Sequence, residues 1–229
     1  MDVWRIPLPS GAKSSPNTIE ILSTEERARA QRLRDPQKSA QFAATRRALR
    51  HILARYVAMP PESLIIEVSL QGKPFLMEKD RASTLHFNVS HTAGLALCAV
   101  ARDRTVGIDV EEVDVHREIL LIARRFFHPG EFAALESLPQ SERTPAFYRC
   151  WCAKEALVKA SGEGLHLPLN SFRLDCDPGR PLALLEAGTK LAGNPWSLRE
   201  LALGPAYAGV CATSIPAPTW RHWNYTAET

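Results

Sequence analysis

The first 60 residues carry a helical pattern of apolar positions. Between residues 38 and 57, apolar side chains recur three or four positions apart, as at Leu49, Ile52 and Tyr56, which is the spacing of an amphipathic helix. A shorter helix is predicted to begin near Ser23, because serine caps helices and two glutamates follow in the first turn. An Asp-Pro pair between the two segments predicts a break.

The pattern changes after residue 60 to short apolar and β-branched runs. These runs occupy 64–70, 86–91, 95–101 and 105–113. Runs of this length, bounded by Gly, Pro, Asn or Ser, are typical of β-strands. The middle of the chain is therefore predicted to form strands.

The same order of helices and strands follows in the rest of the chain. The predicted elements are two helices within 118–138, a helix over 145–165 and strands around 172–174 and 208–211. A His-Pro-Gly sequence at 128–130 predicts the break between the first two helices, and Gly162 or Gly164 is predicted to end the third. Helices followed by strands, twice over, indicate the α+β fold class.

Three pairs of short sequence matches recur roughly 110 residues apart along the chain. They are RRAL at 46–49 with KEAL at 154–157, GKP at 72–74 with GRP at 179–181, and CAVA at 98–101 with CATS at 211–214. Similar offsets in the same order predict an internal duplication. We therefore expect two similar α+β halves related by a pseudo-twofold axis, residues 1–104 and 105–229, with the active site in the cleft between them.

Composition and charge limit the class of protein. Of the 229 residues, 45% are hydrophobic and 23% are charged, which excludes a largely disordered, collagen-like or coiled-coil chain. The net charge of +3 is too small to indicate a nucleic-acid-binding protein, but it suits a small polyanionic ligand. The five cysteines are scattered, unlike a disulfide framework, and predict a reducing compartment.

The sequence has no pattern for export or membrane insertion. The N-terminus carries early polar and proline residues and no apolar core of a secretion signal. The longest apolar run, 95–101, is far shorter than the roughly 20 residues of a membrane-spanning helix. We therefore expect a cytoplasmic protein with no membrane partner.

Two carboxylates lie two positions apart in a predicted strand. Asp109 and Glu111 share one face of that strand, while Ile108 and Val110 lie on the other. Two carboxylates in this arrangement often mean only that this face of the strand is exposed to solvent. A third carboxylate, Glu155, lies in a helix that otherwise has a core pattern, and two or three carboxylates with water and a substrate phosphate suit Mg²⁺. The second interpretation is therefore a magnesium site.

The helix predicted over 145–165 places three side chains on one stripe. Trp151, Glu155 and Lys159 follow one another four residues apart. Glu155 and Lys159 can form a surface ion pair that contributes only a few tenths of a kcal/mol. They can equally serve phosphoryl transfer, in which the carboxylate binds metal or accepts a proton and the cation neutralises charge on a phosphate. The spacing leaves both interpretations open.

Other polar residues have both a structural and a binding interpretation. Ser90 and His91 are neighbours in a strand without a G-x-S-x-G elbow, so Ser-His hydrolase chemistry is not predicted. His91 is then a hydrogen-bonded structural residue or a phosphate contact. Lys73 in its Gly-Lys-Pro turn either closes a turn or presents an ammonium to an anion. The arginines of the first helices, including Arg29, Arg46 and Arg50, form a solvated face or bind phosphate.

Five segments together carry a family resemblance. They are GKPFL at 72–76, FNVSHT at 87–92, VGIDVE at 106–111, RRFFHPGEF at 124–132 and WCAKEALVKASGEGL at 151–165. In this order they closely resemble the 4′-phosphopantetheinyl transferase superfamily, in its double-length, surfactin-synthetase-activating class. The IDVE and WxxKEAxxK elements are specific as a pair, whereas SH or GKP alone would be a weak signal.

The resemblance implies an activity and a fold. The activity is transfer of 4′-phosphopantetheine from coenzyme A to a serine of an apo acyl, peptidyl or aryl carrier protein, with release of adenosine 3′,5′-bisphosphate. Family members of this length are monomers of two similar α+β halves, with coenzyme A and Mg²⁺ between them. We expect the same here.

The resemblance also implies residue roles. Asp109, Glu111 and Glu155 look like the metal-binding carboxylates. Glu155 is also similar to the residue proposed to deprotonate the carrier serine, directly or through a metal-bound water, and Lys159 to the residue that stabilises charge at the reacting phosphate. The positions similar to nucleotide and phosphate contacts are Lys73, Asn88, Ser90 and His91. Where some relatives have lysines for the 3′-phosphate, the nearest positions are Glu26 and Arg29, and Arg46 is a further candidate.

Two rival functions stay open at this point. A different metal-dependent phosphoryl-transfer or pyrophosphate-cleaving enzyme would hydrolyse coenzyme A or a nucleotide without an acceptor protein. A non-catalytic module would bind coenzyme A or a carrier protein without transfer. Nucleic acid is not an expected partner, because the basic residues are not interleaved with aromatic side chains.

Overall fold

Helices and strands alternate in blocks, which confirms the predicted α+β class. A computed structural model describes residues 1–11, 20–69, 72–78 and 81–226, so residue 70 of the predicted strand 64–70 lies outside the described residues. The helices are α1 (Thr24–Arg32), α2 (Pro36–Val57), α3 (Ile119–Phe126), α4 (Pro129–Ser137), α5 (Gln140–Ser161) and α6 (Gly188–Leu191). The strands are β1 (Asp2–Pro7), β2 (Ile65–Val68), β3 (Pro74–Glu78), β4 (Arg81–Ala82), β5 (Leu85–Thr92), β6 (Leu95–Arg102), β7 (Val106–Glu112), β8 (Arg173–Asp175), β9 (Ala183–Glu186), β10 (Ser197–Glu200), β11 (Tyr207–Thr213) and β12 (Arg221–Asn224).

The first two helices begin at the caps that the sequence supplies. The Ser23 hydroxyl accepts the Glu26 amide at 3.2 Å, and the Glu26 carboxylate accepts the Ser23 amide at 2.9 Å. This reciprocal capping box satisfies two amides that have no partner inside the helix. Asp35 caps α2 and Pro36 is its first residue, a position where the missing amide costs nothing. The Asp-Pro pair is thus both the predicted break and the start of α2.

Helix α5 is longer than the predicted helix. It begins at Gln140 rather than 145 and includes Pro145, which removes one hydrogen bond near its start. The next turn is held by packing, because Phe147 and Tyr148 are buried beside Phe127. The helix ends as predicted at Gly162, whose φ of 77° is in the left-handed region that glycine adopts without strain.

Two sheets form layers between the long helices α2 and α5. The first sheet has the order β12-β1-β6-β5 and the second has the order β10-β11-β7. Leu49 and Phe87 belong to the core between α2 and the first sheet, Leu97 and Ile108 to the core between the sheets, and Leu157 to the core between the second sheet and α5. Within the described ranges, no helix is both long and apolar enough to cross a membrane.

Strands β1 and β12, at the two ends of the chain, were not predicted from the sequence. β1 pairs antiparallel with β6 and parallel with β12. Buried Asp2 accepts hydrogen bonds from Tyr56 and Arg221, each at 2.6 Å, and the rings of Trp4 and Trp223 stack with centroids 5.6 Å apart. The last strand therefore completes the sheet of the N-terminal part, although the predicted boundary of the halves places it in the C-terminal part.

Gly107 sets how closely β7 and α5 approach. A Cβ atom at this position would overlap the carbonyl oxygen of Ala156 and the amide nitrogen of Ala160. We expect Gly107→Ala to destabilise the protein by about 2–3 kcal/mol, because backbone atoms of a buried helix cannot yield without moving it. At this chain length that loss lowers the melting temperature by roughly 5–10 °C in a thermal unfolding experiment.

Gly11→Ala is the matched control for that experiment. A Cβ atom at Gly11 meets nothing within 4 Å, and this glycine is not among those with positive φ. Its melting temperature should equal that of the unmodified chain. Equal melting temperatures for the two variants would contradict the close packing of β7 on α5.

Candidate active site

Two elements from different parts of the sequence converge on β7. β5 and α5 both pack against this strand. They enclose a cavity of about 500 Å³, whose polar lining residues are Ser90, His91, Asp109, Glu111, Glu155 and Lys159. Trp151 lines the same cavity, so the predicted stripe at 151, 155 and 159 does face β7. The structure thus brings these sequence-predicted residues together.

An ion pair between β7 and α5 lines the cavity. The Lys159 ammonium donates to Asp109 Oδ1 at 2.6 Å, to the Ser90 hydroxyl at 3.2 Å and to the Ile108 carbonyl at 3.3 Å. The Ser90 hydroxyl in turn donates to Asp109 Oδ1 at 2.9 Å. Asp109 is 4% exposed, whereas Lys159 keeps about a third of its side chain exposed (29%). The cation is therefore oriented by a buried carboxylate and still open to a ligand.

The second oxygen of Asp109 is buried and free. Among the described residues, Oδ2 has no hydrogen-bond partner. The neighbouring Cys152 thiol donates instead to the Ala208 carbonyl at 3.4 Å. A buried carboxylate oxygen without a partner is costly in a folded protein, which indicates that a ligand belongs there.

Three carboxylates repel one another in this cavity. Burial raises the pKa of Glu155, the negative charges of Asp109 and Glu111 raise it further, and Lys159 offsets only part of the shift. Burial and the charge of Asp109 likewise raise the pKa of Glu111. The site therefore has an excess of negative potential that a cation would relieve.

The donor set fits Mg²⁺. Within the described ranges, no three His, Cys, Asp or Glu side chains lie close enough together to form a complete metal cage. Mg²⁺ does not require one, since it is commonly held by one or two carboxylates together with water and substrate phosphates. The free oxygen of Asp109, with Glu111 and Glu155 on the same cavity, supplies such a set.

A buried ion pair fixes the rotation of α5. Lys154 is fully buried and pairs with Glu131 of α4 at 2.8 Å. Its ammonium also donates to the carbonyls of Leu169 and Phe172, at 2.7 and 3.0 Å. Because its side chain is 0% exposed, Lys154 anchors the helix and is not available to a ligand. Glu155, the next residue, is thereby held toward β7.

A second cavity of about 600 Å³ adjoins the first. The two share Trp151, Glu155 and Lys159 in their linings. Its walls are largely apolar and include Phe126 and the fully exposed Leu165. Together the two cavities form one groove between the N-terminal and C-terminal parts of the chain.

Two other predicted contacts, Asn88 and Lys73, also line this groove. The Asn88 side-chain oxygen accepts the amide of Ile108 at 2.8 Å and so ties β5 to β7. The Lys73 ammonium donates to the carbonyls of Val106 and Lys159, at 2.9 and 2.7 Å. The Asn88 oxygen and the Lys73 ammonium are therefore both hydrogen-bonded to backbone groups of the protein.

The N-terminal arginines do not form one solvated face. Arg50 is 2% exposed and donates to Glu26 at 2.7 Å, and Arg46 donates to the same carboxylate at 2.6 Å. Glu26 thus holds two guanidinium groups inside the fold, which corrects the solvated-face interpretation for this pair. Arg29 is exposed, with its guanidinium over the Phe42 ring.

The positive charges of Lys159 and Arg29 act on the His91 imidazole. Partial burial lowers its pKa, and the positive charges of Lys159 and Arg29 lower it further. An anion bound beside Lys159 and Arg29 would raise the pKa of His91 again, because it would offset their two positive charges. This end of the groove therefore suits a phosphate.

Trp151 and Phe126 are site residues to which sequence reasoning gave no role. Their rings meet edge to face at 6.1 Å between centroids, and both line the larger cavity. For Trp151 the signal was present, because it begins the stripe that contains Glu155 and Lys159. Phe126 carried no such signal, since its position depends on the turn between α3 and α4.

Known proteins match the chain along most of its length. A family model described as 4′-phosphopantetheinyl transferase superfamily matches residues 105–211, and one described as 4′-phosphopantetheinyl transferase, N-terminal, matches residues 9–103. The 4′-phosphopantetheinyl transferase HetI of Nostoc sp. is 35% identical over 97% of this chain and 91% of its own. The 4′-phosphopantetheinyl transferase psf-1 of Bacillus pumilus is 33% identical over 95% of this chain and 91% of its own length. The 4′-phosphopantetheinyl transferase Sfp of Bacillus subtilis is 28% identical over 92% of this chain and 90% of its own length.

A solved structure resembles part of the fold. The holo-[acyl-carrier-protein] synthase (AcpS) of Thermotoga maritima aligns with 48% of this chain and 61% of its own, at 21% identity and a TM-score of 0.40. The sequence relatives, which extend over nearly the whole chain, decide the family. The chain belongs to the 4′-phosphopantetheinyl transferase superfamily.

Proposed function

We propose that the chain transfers 4′-phosphopantetheine from coenzyme A to a serine of an apo carrier protein, and that Asp109, Lys159 and Glu155 carry the reaction. In this step a bond forms between the serine oxygen and the β-phosphorus of coenzyme A. The bond from that phosphorus to the bridging oxygen breaks, and adenosine 3′,5′-bisphosphate leaves. The observation that carries the proposal is the oriented Lys159 ammonium beside a buried carboxylate with one free oxygen.

Lys159 is proposed to stabilise charge on the reacting phosphate. Its ammonium is already fixed by Asp109 and Ser90, so little reorganisation is needed when a phosphate oxygen arrives. Glu155 is proposed to take the proton of the carrier serine, directly or through a water. Its raised pKa suits that role, because a carboxylate with a pKa closer to neutrality is a stronger base.

Magnesium is the proposed metal, held by Asp109, Glu111 and Glu155. When bound, it would neutralise charge on the pyrophosphate oxygens. The buried free oxygen and the mutual repulsion of the carboxylates support this proposal.

Coenzyme A is proposed to lie along the groove, with its phosphates at Ser90, His91 and Arg29. His91 and Arg29 supply an imidazole and a guanidinium. The Ser90 hydroxyl donates to Asp109 Oδ1 at 2.9 Å, so it can donate to a phosphate only by leaving that bond. Arg46 is the weaker candidate, since Glu26 already engages its guanidinium. Asn88 is proposed to contact the nucleotide through its amide nitrogen, while its oxygen holds Ile108.

The second substrate is proposed to be an acyl, peptidyl or aryl carrier protein in the cytoplasm, met by a monomeric enzyme. Carrier proteins of this kind are typically acidic along their recognition helix. The net charge of +3 favours electrostatic encounter with such a surface.

Incubation with coenzyme A, Mg²⁺ and a panel of apo carrier proteins tests the proposal. Intact-mass spectrometry should show a phosphopantetheinyl mass gain on the active-site serine of at least one carrier, with adenosine 3′,5′-bisphosphate in the filtrate. Hydrolysis of coenzyme A without an acceptor would indicate a pyrophosphate-cleaving enzyme instead. Binding of coenzyme A with no mass gain on any carrier would indicate a non-catalytic module.

A further inference from the structure

Lys73 joins the two parts of the chain at the end of the helix that carries Lys159. The ammonium comes from the turn before β3, yet its two acceptors are the carbonyls of Val106 and Lys159 in the other part of the chain. Val106 is the first residue of β7, which carries Asp109. One ammonium is therefore hydrogen-bonded to the backbones of β7 and α5, the two elements that carry Asp109 and Lys159.

The bond to the Lys159 carbonyl is a helix cap supplied from a distance. The last four carbonyls of a helix have no amide partner within it, and α5 ends at Ser161. A cation at that position satisfies such a carbonyl and interacts favourably with the negative end of the helix dipole. Lys73 meets both conditions for α5.

The turn that carries Lys73 is itself braced. Ser69 accepts the Lys73 amide through its hydroxyl at 3.2 Å, and its own amide donates to the Lys73 carbonyl at 2.9 Å. The ammonium is thus presented from a fixed backbone. Burial lowers the pKa of Lys73 to about 8, so the fold maintains this cation at an energetic cost.

We propose that Lys73 is a positioning residue for the transfer reaction, whose ammonium locks the end of α5 to the start of β7 and so sets the Asp109–Lys159 geometry. This departs from the phosphate-contact role that the family resemblance implies for the residue. The inference rests on the proposed function for its kinetic consequence, but the lock itself is a statement about structure.

Replacement of the ammonium tests the lock by two separate readouts. In Lys73→Met, amide hydrogen exchange should become faster in peptides that cover the start of β7 and the end of α5. The turnover number should fall about 10- to 100-fold, the range for loss of a hydrogen bond to a charged group, while the Kd and KM for coenzyme A change less than about twofold. Lys38→Met is the matched control, because Lys38 is an exposed lysine of α2, and it should change neither readout.

Chemical rescue separates the ammonium from the side chain's bulk. In Lys73→Cys, the thiolate displaces bromide from 2-bromoethylamine and forms a thioether that ends in an ammonium. This product should recover slow exchange and most of the turnover number. The wild-type chain treated in the same way controls for alkylation of half-buried Cys176. The comparison before and after alkylation holds even if the methionine variant fails to fold.

Distinct outcomes would overturn the inference. Unchanged exchange at the end of α5 in both variants would show that no lock exists. A large rise in the Kd for coenzyme A with an unchanged turnover number would show that Lys73 acts as a ligand contact. If the wild-type chain transfers nothing to any carrier, the proposed function fails, while the exchange measurements still decide whether Lys73 locks α5 to β7.

Discussion

Asp109→Ala is expected to lower the turnover number for carrier modification by about 1000-fold or more. The substitution removes three contributions together. Lys159 loses the acceptor at 2.6 Å that orients it, Ser90 loses its acceptor at 2.9 Å, and the free oxygen proposed for Mg²⁺ disappears. The rate is measured by intact mass of the carrier at saturating coenzyme A.

The fold should survive Asp109→Ala. The charge of Asp109 raises the pKa of both Glu111 and Glu155, so its removal relieves repulsion while it also removes the ion pair. We expect these effects to offset, with a melting temperature close to that of the wild-type chain. Glu112→Ala is the matched control, because Glu112 lies on the same strand but is exposed. Turnover of Asp109→Ala within tenfold of this control would show that the metal site has been misplaced.

The core of this site could be predicted because it rests on local periodicity. Alternation along β7 places Asp109 and Glu111 on one face, and the four-residue repeat of α5 places Glu155 and Lys159 on one stripe. Each pattern needs only its own segment. The structure adds that the two patterned faces meet, which Gly107 permits through the close approach of β7 to α5.

Several features that escaped prediction depend on pairing between distant segments. β1 and β12 are short and meet only when the chain ends come together, so neither has a local pattern strong enough to indicate a strand. Buried Arg50 looked like a surface residue because its partner, Glu26, lies on another helix. The ammonium of Lys73 is similar, since nothing in a Gly-Lys-Pro turn indicates that it reaches the Lys159 carbonyl.

Glu155→Gln is the second substitution with a large expected effect. It preserves the shape of the side chain but removes its negative charge and its capacity to accept a proton. We expect the turnover number to fall by about 100- to 10,000-fold, the usual contribution of a general base. Glu142→Gln is the matched control, because Glu142 lies exposed on the same helix, and its turnover number should equal that of the wild-type chain.

The dependence on Mg²⁺ concentration distinguishes the two roles proposed for Glu155. If Glu155 is chiefly the base, Glu155→Gln should lose turnover while half-saturation by Mg²⁺ stays near the wild-type value. If it is chiefly a metal ligand, higher Mg²⁺ should restore part of the lost rate, because the weakened site then fills by mass action. Near-normal turnover at every Mg²⁺ concentration would contradict both roles. It would leave Asp109 and Lys159, which are joined at 2.6 Å, as the groups that carry the reaction.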